Sequence, residues 1–399
     1  MHITFLLGAG ASIPAGYSST ECLTDKVLAS VGYFRHTDGN FNSGCDPSGL
    51  DQITPVVRRI IQWLYERNCE YFHTYREESV KINYEHLYFL ASQFYDDASE
   101  LQNPALLPMI NQLKSDMDTW PEFIEYRAAH QHEIDDQYQL MINKFSEETC
   151  KYIETIIKNA LTKNPRTSDH LEIIKKVHNE NSLNLQGIAT LAHDTHVETY
   201  LRESGMTIAD GFSSPIEGDP VRIWRNQFSD EGCVPFLKLH GSVDWERLHL
   251  RKPEKFENLP SSGIGYKVSS DLNNSIYQFN EDLGTPSLLL IGTFNKTAKY
   301  NWRLMLDIHY RFRQILAKTQ ILIVCGYSFG DKAINTQLVF WYRAERNRSI
   351  VVIDPRSKNE IIQSARFAAG QLLQYNGVAH FIDQPIENVS FDKLIQLLR

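Results

Sequence analysis

Short apolar runs that end in glycine or polar residues, and that alternate with amphipathic helices, predict an α/β protein: a Rossmann-like parallel sheet with helices on both faces and a mostly helical insertion. Three observations carry this. The chain opens on MHITFLLGAGASIPAG, an uncharged apolar run over 3–7 that breaks at Gly8, Gly10 and Gly16. The runs over 321–325 and 350–353 end the same way, in GYSFGD and DP. Strand signals are scarce between about 51 and 180 and return after 181.

The elements follow in order. A strand over 3–7 hands over to a helix over 17–28. Residues 32–49, rich in Gly, Asn, Asp and Ser, read as an exposed loop. Val56, Val57, Ile60, Ile61 and Leu64 recur at helical spacing behind Thr54-Pro55, a sensible cap and first-turn pair. A helix is predicted over 84–95, an interrupted stretch around Pro104, Pro108 and Pro121, and a long amphipathic helix from about 133 to 161. Then come a strand over 185–191, a helix over 195–202, loop over 210–220, and a strand over 236–239 running into His240-Gly241-Ser242. Strands at 287–291, 321–325, 350–353 and 378–382, with helices at 302–317, 332–346 and 391–398, complete the pattern. The expected division is a Rossmann-like domain from 1–50 and 181–399, with 51–180 as a helical insertion.

Composition narrows the function. The chain has 399 residues, is 42% hydrophobic and carries a formal charge of −9, enough apolar content for a sizeable core. An acidic chain without a basic aromatic surface is a poor nucleic-acid binder. The six cysteines form no CxxC pair, which argues against structural zinc and suits a reducing cytoplasm. The opening apolar run lacks a basic flank and is too short for a signal peptide, and no run approaches a membrane span.

In an open parallel sheet, ligands lie beyond the carboxyl ends of the strands. Five such ends here are small or polar: Gly8 to Ser12, Ala192-His193-Asp194, His240-Gly241-Ser242, Gly326 to Asp331, and Asp354. The glycine turn at 8–12 reads as a phosphate cradle or as a plain strand-to-helix turn. It has neither a Walker ending nor a GxGxxG order. Gly326 and Ser328 form a second such turn, able to hold a phosphate or ribose. Asp354 reads as a ribose acceptor or as a helix cap before Pro355. His240 is placed for general-base work, since imidazole titrates near neutrality; a structural histidine is the other reading. His193 and His196 suggest a metal pair, but no Cys or carboxylate set with ligand spacing accompanies them, so no metal is predicted.

Together, GAGAS at 8–12, NYEHL at 83–87, TLAHDTHVE at 190–198, DGF at 210–212, LKLHGSVDW at 237–245, GYSFGDKAIN at 326–335 and VVIDP at 351–355 resemble the sirtuin-like family, in its bacterial NAD-hydrolysing branch. The resemblance implies NAD as substrate in a cleft between the sheet and a helical part. It implies that Gly8, Ala9, Gly10 and Ser12 cradle the pyrophosphate, that Ser328 contacts the nicotinamide side, and that Asp354 holds the adenosine ribose. Asp194, Gly326 and Asp331 join the expected binding set, and His240 would be the catalytic base. Zinc is not expected, because the four-cysteine module of deacetylating sirtuins is missing. Relatives of this kind resemble cytoplasmic antiviral effectors that deplete cellular NAD by cleaving it to nicotinamide and ADP-ribose. They imply self-assembly or a separate partner such as a HerA-type ATPase. One departure is sharp: the family's Thr-Leu-Asn-His-Asp pattern carries a catalytic Asn where this chain has Ala192. With every neighbour kept, the position reads as an inactivating Asn→Ala replacement; the alternative is a non-catalytic NAD-binding or scaffold subunit. Preference between NAD and NADP stays open, because Arg356 and Lys358 lie beside Asp354.

Overall fold

The computed structural model describes residues 1–29, 31–75, 81–96, 104–130, 138–228, 232–279, 288–292, 303–366, 368–375 and 377–398. In chain order, strand β1 is His2–Leu7, helix α1 Thr20–Ala29, and a short hairpin pairs β2 (Tyr33–Arg35) with β3 (Phe41–Ser43). Helices α2 (Ile53–Tyr75), α3 (Tyr84–Asp96), α4 (Leu107–Met117), α5 (Pro121–Ala129), α6 (Tyr138–Leu161) and α7 (Glu172–Asn179) follow. Next are β4 (Asn184–Thr190), α8 (His196–Glu203), β5 (Ile208–Ala209), β6 (Gly211–Ser213), β7 (Val221–Gln227), β8 (Val234–Lys238), β9 (Glu246–Leu250), β10 (Ser262–Lys267) and β11 (Tyr277–Phe279). The chain closes with α9 (Arg303–Lys318), β12 (Ile321–Cys325), α10 (Lys332–Ala344), β13 (Ser349–Asp354), α11 (Lys358–Ser364), α12 (Ala369–Gln374), β14 (Ala379–Asp383) and α13 (Phe391–Leu398).

The main sheet has seven strands in the order β14-β13-β12-β1-β4-β8-β5, and every neighbouring pair is parallel. It is the predicted Rossmann-like α/β fold. From β1 the chain steps one way to β4 and β8, then returns to lay β12, β13 and β14 on the other side. The reversal falls between β1 and β12, where such sheets open a crevice at their carboxyl edge. Alternation along the strands supplies two cores. Leu6, Leu322, Val324 and Val352 pack with Phe312, Ile334 and Leu338 on one face. Ile3, Phe5, Ile323 and Val351 pack with Ile174, Val197 and Leu394 on the other. Burial on both faces explains why β1 and β12 are nearly unbroken apolar runs.

The helices from α2 to α6 share a third core, built on the stripe Val56, Val57, Ile60, Ile61 and Leu64 with Leu87, Phe94, Phe145 and Ile153. That core also takes in Ala15, Tyr17, Val243 and Ile291, so the helical block leans on the chain just after the first glycine turn and just after His240. Pro108 and Pro121 do not break helices; they sit in the first turns of α4 and α5, where a missing N–H leaves no partner wanting.

Three expectations are corrected. The loop predicted over 210–220 contains β6, part of a five-stranded antiparallel sheet in the order β11-β9-β10-β7-β6. Its strands are half polar, alternating as in Val221 and Ile223 of β7, so they carry no continuous apolar run. The loop over 32–49 holds the β2–β3 hairpin. The strand predicted over 287–291 starts outside the described residues, and its remainder makes only an isolated antiparallel bridge, Leu289 to Gly241. The beginning of the helix predicted from 133, and Trp302 at the start of the helix predicted over 302–317, likewise lie outside the described residues.

Candidate active site

The two glycine turns are packed against each other. Gly8 N–H donates to the Cys325 carbonyl at 2.8 Å and Gly10 N–H to the Gly326 carbonyl at 3.0 Å. A Cβ on Gly8 would lie 2.3 Å from Gly326 O, and one on Gly326, whose φ is +61°, would lie 2.3 Å from Ala11 N. Glycine is therefore required here by backbone meeting backbone. The amides of Gly8 and Gly10, which the sequence reading turned toward an anion, are spent on neighbouring strand-end carbonyls. Just beyond Ala9 and Gly10, Ser12 is buried and donates its hydroxyl to Asp194 Oδ1 at 3.1 Å.

Asp194 lies in the loop between β4 and α8, residues 191–195. The same Oδ1 accepts the His196 amide at 3.1 Å, fixing the start of α8. The loop is clamped on both sides: Leu191 N–H donates to Leu7 O at 2.8 Å, Ala192 N–H to Thr190 Oγ1 at 3.1 Å, and Val243 N–H to His193 O at 2.9 Å. Ala192, His193 and Asp194 are all buried. Behind them Lys238, at the end of β8, donates its ammonium to the Asp194 carbonyl and, at 2.6 Å, to Glu198 Oε1. Burial pushes the Glu198 carboxyl up to about 7, with Lys238 opposing the shift.

His240 follows β8 directly. Gly241, at φ +81°, lets the chain turn hard against the 288–291 segment, and Leu290 N–H donates to His240 O at 2.9 Å. The imidazole is buried, with Nε2 3.0 Å from Asp331 Oδ2. Asp331 is the N-cap of α10, taking the amides of Ala333 and Ile334 on Oδ1 at 2.8 and 3.0 Å. The turn before it is wound tightly: Phe329 has φ +54°, and Asn335 donates to the Phe329 carbonyl at 2.7 Å. The His193 ring centroid lies 6.1 Å from that of His240. His309 packs behind, Nε2 3.0 Å from Leu239 O, and burial pushes it down to about 4, so it is neutral at physiological pH.

Gly8 to Ser12, Ala192 to Asp194, His240 and Asp331 thus stand at the carboxyl ends of β1, β4, β8 and β12, around the switch point. Ser328 is exposed on the turn after β12. Asp354 ends β13 and is buried, but its own turn engages it: Arg356 donates Nε to Oδ1 and Nη2 to Oδ2, both at 2.8 Å, and its amide to Oδ1 at 3.0 Å. The sequence reading gave no role to Lys238, Glu198 or the Arg356 side chain as a carboxylate partner. A lysine closing an otherwise apolar strand, VPFLK, was the available signal for the first.

A seven-stranded parallel sheet flanked by helices, with polar residues gathered at its switch point, defines the class: a protein of Rossmann-type α/β fold. More particularly, residues 186–378, just under half of the chain, match the family model of the SIR2-like domain. No curated protein matches the sequence. Solved structures with a similar chain path include a Sir2 homolog–NAD complex, 12% identical, covering 100% of this chain and 89% of that one with a TM-score of 0.39. Another is Sir2 bound to acetylated peptide, 9% identical, covering 99% and 92% with a TM-score of 0.37. Among the described residues no group of three or more His, Cys, Asp or Glu side chains is placed to hold a metal ion. No described helix is long and apolar enough to cross a membrane.

Proposed function

We propose that this site takes NAD as substrate and is built to hydrolyse the bond between nicotinamide and ribose. The observation that supports it most is the placing of His240, with Asp331 at its Nε2, beside the loop that carries position 192, on adjacent strand ends at the switch point of a SIR2-like domain. Water would form the new bond to the ribose carbon. The old carbon–nitrogen bond would break with its electrons passing to nicotinamide, which leaves neutral, and the water's proton would go to His240. The sugar is oxocarbenium-like as the bond breaks. An amide side chain at 192 offers one donor and one acceptor to orient the water and a ribose hydroxyl; the methyl of Ala192 offers neither. Loss of one positioned polar group lowers turnover roughly 10²- to 10³-fold. The chain as it stands would bind NAD and cleave it slowly.

The wider reading is a cytoplasmic effector of antiviral defence that depletes NAD, self-assembled and paired with a separate ATPase of the HerA type. It rests on the motif resemblance, and co-purification with such an ATPase tests it. The decisive experiment on the chemistry is Ala192→Asn, with nicotinamide release followed on the purified protein and on the assembled complex. Release well above that of the parent supports hydrolysis. No release in either form overturns it and favours the second reading, a non-catalytic NAD-binding subunit, for which Ala192 is the motivating observation.

A further inference from the structure

Lys238 is 4% exposed at the end of a buried strand. A charge in that position is costly unless it is paired and hydrogen-bonded, and a well-packed apolar pair usually serves stability as well. What the ammonium does that a methyl group cannot is reach two separate segments. Glu198 Oε1, 2.6 Å away on α8, neutralises it. The Asp194 carbonyl, its other acceptor, belongs to the 191–195 loop. Asp194 is thereby held from three directions: by Ser12 from the first glycine turn, by the His196 amide at the head of α8, and by Lys238 from β8. Lys238 also precedes His240 by two residues, so a single strand end fixes both the imidazole and the loop beside it.

We propose that Lys238 is a positioning residue, with Glu198 as its counter-charge, that sets the side chain at position 192 relative to His240. The role rests on the NAD-hydrolysing reading of this site, but it can be tested without it. Lys238→Met alone leaves the buried Glu198 carboxyl without its partner, so the double variant Lys238→Met/Glu198→Leu is the informative one.

In the chain as it stands, hydrogen exchange at the Ala192 and Val243 amides, which bond to Thr190 Oγ1 and His193 O, should quicken at least tenfold in the double variant. Exchange at Ile323 in β12 should not change. In the Ala192→Asn background the double variant should lower kcat by 10- to 100-fold while KM moves less than threefold, and Lys238→Arg should recover part of the loss. Unchanged exchange at both amides, or a parental kcat in the Asn background, overturns the proposal. If Ala192→Asn alone releases no nicotinamide, the hydrolase reading falls, and the exchange experiment still decides whether Lys238 holds the loop.

Discussion

Asp331 divides its carboxylate between two tasks: Oδ1 caps α10, and Oδ2 lies 3.0 Å from His240 Nε2. The helix start and the imidazole are thus fixed by one side chain. Asn at 331 keeps an acceptor for the cap and loses the charge; Ala loses both. Asp331→Asn should melt close to the parent, while Asp331→Ala should lose about 1 kcal/mol of stability in denaturant titration. In the Ala192→Asn background both should slow nicotinamide release by roughly tenfold or more, as expected when a general base loses its orienting partner. Equal release from all three proteins would separate Asp331 from the chemistry.

His240→Ala in the same background should bring cleavage to the level of the unaided reaction while leaving NAD-induced thermal stabilisation in place. Full activity in that variant would remove His240 from its assigned role.

Two buried groups oppose each other in acid. His196 is pushed down to about 4 by burial, so its contribution is complete above 6.5, its unfolded value, and is lost as pH falls toward about 4. Glu198 is pushed up to about 7, so its contribution is complete below 4.5 and is lost as pH rises through about 7. The windows overlap and the slopes have opposite sign. Glu198→Gln should steepen the loss of melting temperature between pH 6.5 and 4.5, and His196→Gln should lessen it. Parallel profiles for the parent and both variants would contradict the assigned shifts.

Gly8→Ala places a methyl 2.3 Å from the Gly326 carbonyl, whereas Gly263→Ala in β10 meets nothing within 4 Å. The first should cost about 1–3 kcal/mol or more by forcing two strand ends apart. The second should stay within about 0.5 kcal/mol of the parent. Guanidinium titrations of the two variants measure the difference directly.

Much of the parallel sheet is legible from sequence because its strands are buried on both faces and read as plain apolar runs. β1, β12 and β13 announce themselves that way, whereas β4 opens on polar residues and the edge strand β14 is only partly buried. The two-residue β5 does not, and the antiparallel sheet escapes notice because each strand spends half its residues on polar positions. At the site, residue types are legible and pairings are not. Nothing in GYSFGD tells that Asp331 meets His240, or in VVIDPR that Arg356 engages Asp354. Lys238 and Glu198 find each other at a sequence separation of 40. Such contacts depend on which strand ends become neighbours, a property of topology that periodicity does not encode.

The interlock of Gly8 and Gly10 with Gly326 has a consequence for how the molecule is made. β1 is synthesised long before one of its two sheet neighbours: that edge waits for β12, more than three hundred residues later. Until then a nascent chain holds an unpaired apolar strand edge, the kind of surface that invites misassociation. The crevice at the carboxyl edge is therefore incomplete until β12 has emerged and paired with β1.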